Sequence, residues 1–227
     1  MFWLSPHKAI LFLCFVLLAT IPALSMDFAI GIKAGAGHFS FYGLDYEEYK
    51  DRDGLNFAMS VLKLGFSAGF FATLGFSDSL AIQAEAFFSL GGDAHRTRNV
   101  TRSVNIFFLD FPLLLKGRLP LGPGTAAIFV GPELLIKLGK GRLAVELTGQ
   151  GTTIDNEIGT DAVNAYQFGI VAGAEYAVPL GPGQLFFDLR AMLGLTNIHP
   201  TAYIAHNELK GSSGLLMVGY GLDLGGS

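Results

Sequence analysis

The sequence predicts an all-β protein: an eight-stranded antiparallel up-and-down transmembrane β-barrel. Three observations predict it. First, the chain of 227 residues is 51% hydrophobic and only 15% charged, against about 25% charged in an average soluble domain, and its mean hydropathy is +0.46. Yet only residues 9–23 form a long apolar run, and a spanning helix needs about 20 such residues. Second, apolar residues beyond that run recur with period two, not 3.6. Third, the alternating segments are joined by connections that are short and long by turns. The composition excludes a disordered chain, which needs low hydrophobicity and high charge, and argues against an ordinary cytosolic enzyme.

Residues 1–25 read as a secretory signal peptide, cleaved on export. Lys8, with His7, opens it, residues 9–19 form the apolar stretch, Pro22 ends it, and Ala23-Leu24-Ser25 places small residues at the cleavage site. An uncleaved anchor helix is the alternative, for which the run is short. Cys14 is a poor lipidation site, because Leu13 precedes it. Cleavage leaves one domain, residues 26–227, without Cys14 or Trp3, the only residues of their kinds, and with a net charge near −5. An exported chain with no cysteine holds itself together without disulfides.

The strands follow in order. In the first, residues 28–39, Phe28, Ile30, Ile32, Ala34 and Ala36 oppose Gly31, Lys33, Gly35 and Gly37. In the second, Leu62, Leu64, Phe66, Ala68, Phe70, Ala72 and Leu74 oppose Lys63, Gly65, Ser67, Gly69 and Thr73. In the third, residues 80–91, Leu80, Ile82, Ala84, Ala86, Phe88 and Leu90 oppose Ala81, Gln83, Glu85, Phe87, Ser89 and Gly91. In the fourth, Phe107, Leu109, Phe111, Leu113 and Leu115 oppose Asp110 and Lys116. In the fifth, Ile128, Val130, Leu134 and Ile136 oppose Glu133 and Lys137. The sixth sets Tyr166, Phe168, Ile170, Ala172, Ala174, Tyr176 and Val178 against Gln167, Gly169, Gly173 and Glu175. The seventh, residues 184–195, sets Leu185, Phe187, Leu189, Ala191, Leu193 and Leu195 against Phe186, Asp188, Arg190, Met192 and Gly194. The last sets Leu216, Val218, Tyr220, Leu222 and Leu224 against Gly219, Gly221 and Asp223. Short connections near 75–79, 117–124 and 179–183 alternate with long ones near 40–59, 92–102, 139–163 and 197–213. Short turns at one end and long loops at the other are the topology of outer-membrane barrels.

The two faces decide which side meets lipid. A soluble barrel of the lipocalin type turns its apolar face inward. Here the apolar face is bulky and free of charge, whereas the other mixes charges with glycines that suit a crowded interior. An Arg or Lys facing lipid costs roughly 2–4 kcal/mol at the midplane, so the clean face belongs outside. Tyr166 and Phe168 at one end of the sixth strand and Tyr176 at the other fit two interfacial aromatic girdles. Aromatic core packing is the plainer alternative for each.

The other face then carries Lys33, Lys63, Lys116, Lys137 and Arg190 against Glu85, Asp110, Glu133, Glu175, Asp188 and Asp223. An eight-stranded barrel has room inside for side chains and little else, and buried charges must be paired. These residues predict a lumenal charge network that fills the barrel; a narrow polar conduit is the alternative. Arg142, Ala144, Glu146 and Thr148 alternate with Leu143, Val145 and Leu147, so the fifth strand is expected to run beyond the membrane into a protruding hairpin whose edge a partner strand could join.

Little else carries chemistry. The histidines are scattered, so no metal and no cofactor are expected. Asp45, Glu47, Glu48, Asp51 and Asp53 form an acidic loop among Tyr42, Tyr46 and Tyr49, and His95, Arg96, Arg98 and Arg102 a basic one. Both read as solvated loops, with a divalent cation or a basic partner as the alternative for the first and anionic lipid headgroups for the second. Gly139-Lys140-Gly141 lacks phosphate-loop spacing.

At Leu109-Asp110-Phe111-Pro112-Leu113-Leu114-Leu115-Lys116, Val130-Gly131-Pro132 and Gly173-Ala174-Glu175-Tyr176 the chain resembles the PorT-like outer-membrane β-barrel domain family. The resemblance implies an eight-stranded barrel related in form to OmpX and OmpW, and little about activity; a role in secretion belongs only to some members. Gly219, Tyr220, Leu222 and Leu224 resemble the C-terminal signal read by the barrel-assembly machinery, with Leu224 where an aromatic is usual. Pro112 and Pro132, each removing a ladder donor, are expected to face each other across a bulge.

These readings place the protein in the outer membrane, exported through the periplasm, with a structural or surface-interaction role and no enzyme activity. A narrow channel or carrier for small or hydrophobic solutes is the second reading, and a lipid-modifying barrel enzyme the third. The expected partners are outer-membrane lipid, the assembly machinery during insertion and an extracellular or periplasmic protein; nucleic acid is not expected.

Overall fold

The computed structural model describes residues 27–42, 59–60, 63–96, 100–147, 152–158, 164–198 and 210–224. The expected signal peptide, the acidic loop residues and most of the last long loop lie outside them. The described strands are β1 (Asp27–Tyr42), β2 (Met59–Ser60), β3 (Leu64–Ser77), β4 (Leu80–Arg96), β5 (Val100–Leu121), β6 (Gly124–Leu147), β7 (Thr152–Ile158), β8 (Tyr166–Leu180), β9 (Gly183–Gly194) and β10 (Lys210–Asp223).

Eight of them close a ring. The order is β1, β3, β4, β5, β6, β8, β9 and β10, antiparallel at every step, with β10 returning to β1. Closure leaves the wall without an edge, which is what lets strands cross lipid with every backbone group paired. Passing from partner to partner, Phe28 leads through Leu74, Ile82, Leu115, Val130, Ala172, Ala191 and Gly214 back to β1 at His38, ten residues above the start. A stagger of that size tilts the strands by about 40° and leaves an interior that side chains fill.

The faces point as the alternation predicts. On the outside Ile128 is 72% exposed, Phe70 70% and Leu189 62%, whereas Gln83 and Asp188 inside are fully buried. Glycines let the narrow interior close. A Cβ on Gly31 would lie 2.5 Å from the Phe71 ring, and one on Gly173 equally close to Phe129.

Two hairpins at the short-turn end are closed by the same five residues, Pro120-Leu121-Gly122-Pro123-Gly124 and Pro179-Leu180-Gly181-Pro182-Gly183. Gly122 and Gly181 have φ near +60° and each precedes a proline, the arrangement a two-residue II′-type turn favours. Tyr176 donates its hydroxyl to Leu121 O and Tyr220 to Leu180 O, both at 2.9 Å. A tyrosine on a neighbouring strand thus ties down each turn.

The bulge expected at the prolines does not form there. Pro112 faces inward opposite Glu133, and the same register continues to Leu115 opposite Val130. A Cβ on Gly131 would lie 1.9 Å from Leu113 O, so the bare glycine lets the strands stay close beside the missing donors. The register shifts instead between Asn105 and Phe107, where Gly139-Lys140-Gly141 supplies the extra residues. Gly139 sits at φ +64°, as bulge glycines do. Gly139→Ala should therefore lower stability by about 1–2 kcal/mol from backbone strain alone, because nothing lies within 4 Å of the added Cβ; Gly139→Asn should lose less. Urea unfolding of the protein in vesicles checks both.

The bulge is also where β6 changes partner. It pairs with β8 up to Ile136 opposite Tyr166, and from Gly141 onward with β7. With β5 alongside to Val100 and β2 on the edge of β4, a sheet in the order β2, β4, β5, β6, β7 rises past the ring at the long-loop end. The segment expected to continue the fifth strand is strand, to Leu147.

Candidate functional site

Six charged side chains from five strands meet in the middle of the lumen: Lys33 from β1, Glu85 from β4, Lys116 from β5, Glu175 from β8, and Asp188 and Arg190 from β9. Lys33 donates to Glu175 Oε2 at 2.6 Å and Asp188 Oδ2 at 2.9 Å, and lies 3.5 Å from Glu85. Its cross-strand partners are Gly69 and Gly219, and a Cβ on Gly219 would come 2.4 Å from the lysine's own Cγ. Lys33 reaches across the barrel because its flanks are bare. Glu175 and Asp188 stand directly opposite each other on β8 and β9, a like-charge pairing that destabilises a sheet unless a cation bridges it, as Lys33 does.

Arg190 forks onto Glu85 through Nη1 at 2.6 Å and Nη2 at 3.1 Å, and its Nε donates to Asp188 Oδ1 at 3.0 Å. This is the bidentate geometry that only arginine supplies. Lys116 donates to Glu175 and, at 2.9 Å, to Gln83 Oε1. Gln83 passes the connection on to Glu85 at 2.6 Å. Three positive and three negative groups thus form one connected set, and the six charges balance.

Aromatic rings bracket the layer. Lys33 lies 5.0 Å from the Phe71 ring centroid and 5.6 Å from that of Phe186; Arg190 lies between Phe87 and Phe129, at 5.4 and 5.3 Å. Such cation–π contacts strengthen when water is excluded. Toward the long-loop end the lumen continues as an apolar cluster of Ile106, Phe108, Leu114, Phe129, Leu135, Val171, Met192 and Ile198.

Eight of the eleven lumenal charges read from the sequence are buried inside, and the six above are joined. Asp110 and Glu133 are buried outside that connected set. The remaining three do not join it. Lys63 precedes β3 and donates to Val104 O, and Lys137 is half-buried just before the bulge. Asp223 is exposed at the end of β10, where its Oδ2 accepts from Gln184 at 3.0 Å. They share the inward parity but not the height along the barrel, which the stagger sets. Tyr166 (62% exposed) and Phe168 face outward at the start of β8, toward the long-loop end, and Tyr176 lies near the short turns. Of the C-terminal residues, Gly219 makes room for Lys33, Tyr220 ties the second turn, and Leu222 and Leu224 are exposed on the outer face. Gln83, Phe87 and Phe186 are placed on the inner face by the sequence but not joined to the charges, and Phe71 and Phe129 escape the sequence reading. Their signal was parity: each stands two residues from a charge or on the same face as one.

The model of a family described as an outer membrane protein beta-barrel domain matches residues 23–200. None of the curated proteins matches the chain. Among solved structures, the chain is similar to the attachment invasion locus protein Ail of Yersinia pestis, at 10% identity and a TM-score of 0.42, covering 86% of this chain and 98% of that one. It is similar to the outer membrane protein OprG of Pseudomonas aeruginosa at 13% identity and 0.46, covering 88% and 96%. Neisserial surface protein A gives 14% identity and 0.40, with 86% and 99% covered. With a closed eight-stranded ring, a charge-free outer face and a family match over most of its length, the chain belongs to the outer membrane protein beta-barrel domain family and is a protein of the outer membrane.

Proposed function

We propose that this protein is a closed barrel with a structural or surface-interaction role, and that it acts neither as an enzyme nor as an open pore. The charged layer carries this reading: six buried side chains span the lumen and spend their charge on one another. The sheet beyond the ring supports a surface role. Among the described residues β7 has one partner strand, β6, and its second edge suits strand addition by an extracellular protein. Within the family, residues 109–116 favour a PorT-like placement. Insertion by the barrel-assembly machinery, lipid as the permanent partner and a leader removed on export belong to the same reading.

Planar bilayers test it. The wild-type protein is expected to give no discrete conductance steps, whereas Lys33→Ala combined with Phe71→Ala and Phe186→Ala should give small ones. Reproducible wild-type steps would favour the narrow channel instead.

A further inference from the structure

Among the described residues the barrel buries three cations, Lys33, Lys116 and Arg190, and five carboxylates, Glu85, Asp110, Glu133, Glu175 and Asp188. The charged layer balances three against three, which leaves Asp110 and Glu133, 6% and 8% exposed. They stand on adjacent strands, diagonally across one rung: Asp110 is opposite Leu135, and Glu133 opposite Pro112. Both line a chamber on the long-loop side of Arg190, whose free volume, about 10 Å³, is that of one water molecule. Asp110 Oδ1 and Glu133 Oε2 have no hydrogen-bond partner.

Nothing around the chamber offsets two negative charges. Among the described residues, β1, β3, β4, β8 and β10 turn no titratable side chain into it; they line it with Phe39, Ser67, Phe87, Val171 and Ser213. β9 contributes Arg190, but four of its five N–H groups go to Glu85 and Asp188, and its charge is balanced within the layer. Lys33, Lys116 and Glu175 lie in that layer too, bound to one another. Lys137 stands four residues beyond Glu133 on β6, opposite Phe108, and Lys63 donates to Val104 O. Neither Asp110 nor Glu133 makes an ion pair among the described residues. Two unpaired carboxylates on one rung of a dry, mostly apolar space carry a cost that neutralising one of them removes. A proton does so without needing a coordination shell.

We propose that Asp110 and Glu133 form a proton-binding site, in which Glu133 carries a proton at neutral pH and donates its O–H to Asp110 Oδ1, directly or through one water held in the chamber. Asp110 is the ionised member, because its Oδ2 already accepts the Ser89 hydroxyl, with Ser67 2.8 Å beyond, whereas no donor serves Glu133 Oε2. The pair then keeps a single negative charge, beside the one N–H that Arg190 has to spare. The site ties the barrel to pH. Above the ordinary carboxylate range the unfolded chain releases this proton and the folded barrel keeps it, so stability falls as pH rises until the pair itself ionises.

The test compares wild type with Glu133→Gln, which has the shape of the protonated acid and cannot ionise, by urea unfolding in lipid vesicles from about pH 5 to about pH 9. The ratio of unfolding constants, wild type over variant, should rise about tenfold per pH unit through the lower part of that range. A ratio that stays flat or falls across the whole range would overturn the proposal. Infrared spectra in deuterated buffer give a second readout, and in wild type it does not depend on how a variant folds. A protonated-carboxyl band should be present at neutral pH and should vanish on raising the pH further. Glu133→Gln should remove the band, and Asp110→Asn, which replaces the acceptor, should shift it. Absence of the band from wild type at neutral pH, or an unchanged band in either variant, would also overturn the proposal.

Discussion

Replacing Arg190 by methionine is expected to cost the barrel about 3–5 kcal/mol of unfolding free energy, the usual penalty for removing one partner of a buried ion pair. Arg190 holds Glu85 through two nitrogens and Asp188 through Nε. Without it, Asp188 keeps Lys33 at 2.9 Å, but Glu85 keeps only Gln83 at 2.6 Å and Lys33 at 3.5 Å. The set then holds three carboxylates against two cations. Arg190→Lys keeps the charge and loses the fork, so it should fall between methionine and wild type. Arg190→Met together with Glu85→Gln removes one charge of each sign and should recover part of the loss. Urea unfolding of these proteins and of Glu85→Gln alone, all in lipid vesicles, completes the cycle. Equal stability for Arg190→Met and wild type would mean the layer is not electrostatically bound.

One residue earlier the demand reverses. Leu189→Arg should cost about 2–4 kcal/mol if the position lies near the bilayer midplane. Leu189 is 62% exposed on the outer face midway along β9, at the height of the charged layer. The same arginine that stabilises at 190 destabilises at 189, because one position faces five-strand ionic packing and the other lipid tails. The two variants should respond differently to the surroundings: Leu189→Arg should recover much of its loss when lipid is replaced by a more hydrated micelle, and Arg190→Lys should not.

The contrast between neighbouring residues also explains what could be read from the sequence. Lipid and lumen impose opposite requirements on alternate positions, so Leu189 and Arg190 announce their faces without any knowledge of neighbours. The eight strands of the ring and most of their inward charges were legible in that way, but the long connection expected at 92–102 is strand up to Arg96 and again from Val100, where the two strands stay paired beyond the ring. Which charges meet was not legible. Lys33 and Asp188 are 155 residues apart, and their contact depends on the ten-residue stagger around the ring, which no single strand encodes. Lys63, Lys137 and Asp223 carry the right parity at the wrong height for the same reason. Proline chemistry pointed to a bulge at Pro112 and Pro132, but neighbouring Gly131 removed the need for one, and the extra residues went to Gly139-Lys140-Gly141. The repeated Pro-Leu-Gly-Pro-Gly is plain in the sequence, yet its tie to Tyr176 and Tyr220 appears only once strands are paired.

The central claim is that the charge-free face meets lipid while the charged layer closes a dry lumen. Nuclear Overhauser contacts from methyl-labelled protein in lipid nanodiscs test it most directly. Methyls of Ile30, Ile32, Ile128 and Leu189 should show cross-peaks to lipid acyl protons, and those of Leu114, Val171 and Met217, all buried, should show none to lipid and none to bulk water. Lipid contacts from Val171 or Met217, or bulk-water contacts along the inner set from one end of the barrel to the other, would contradict the account.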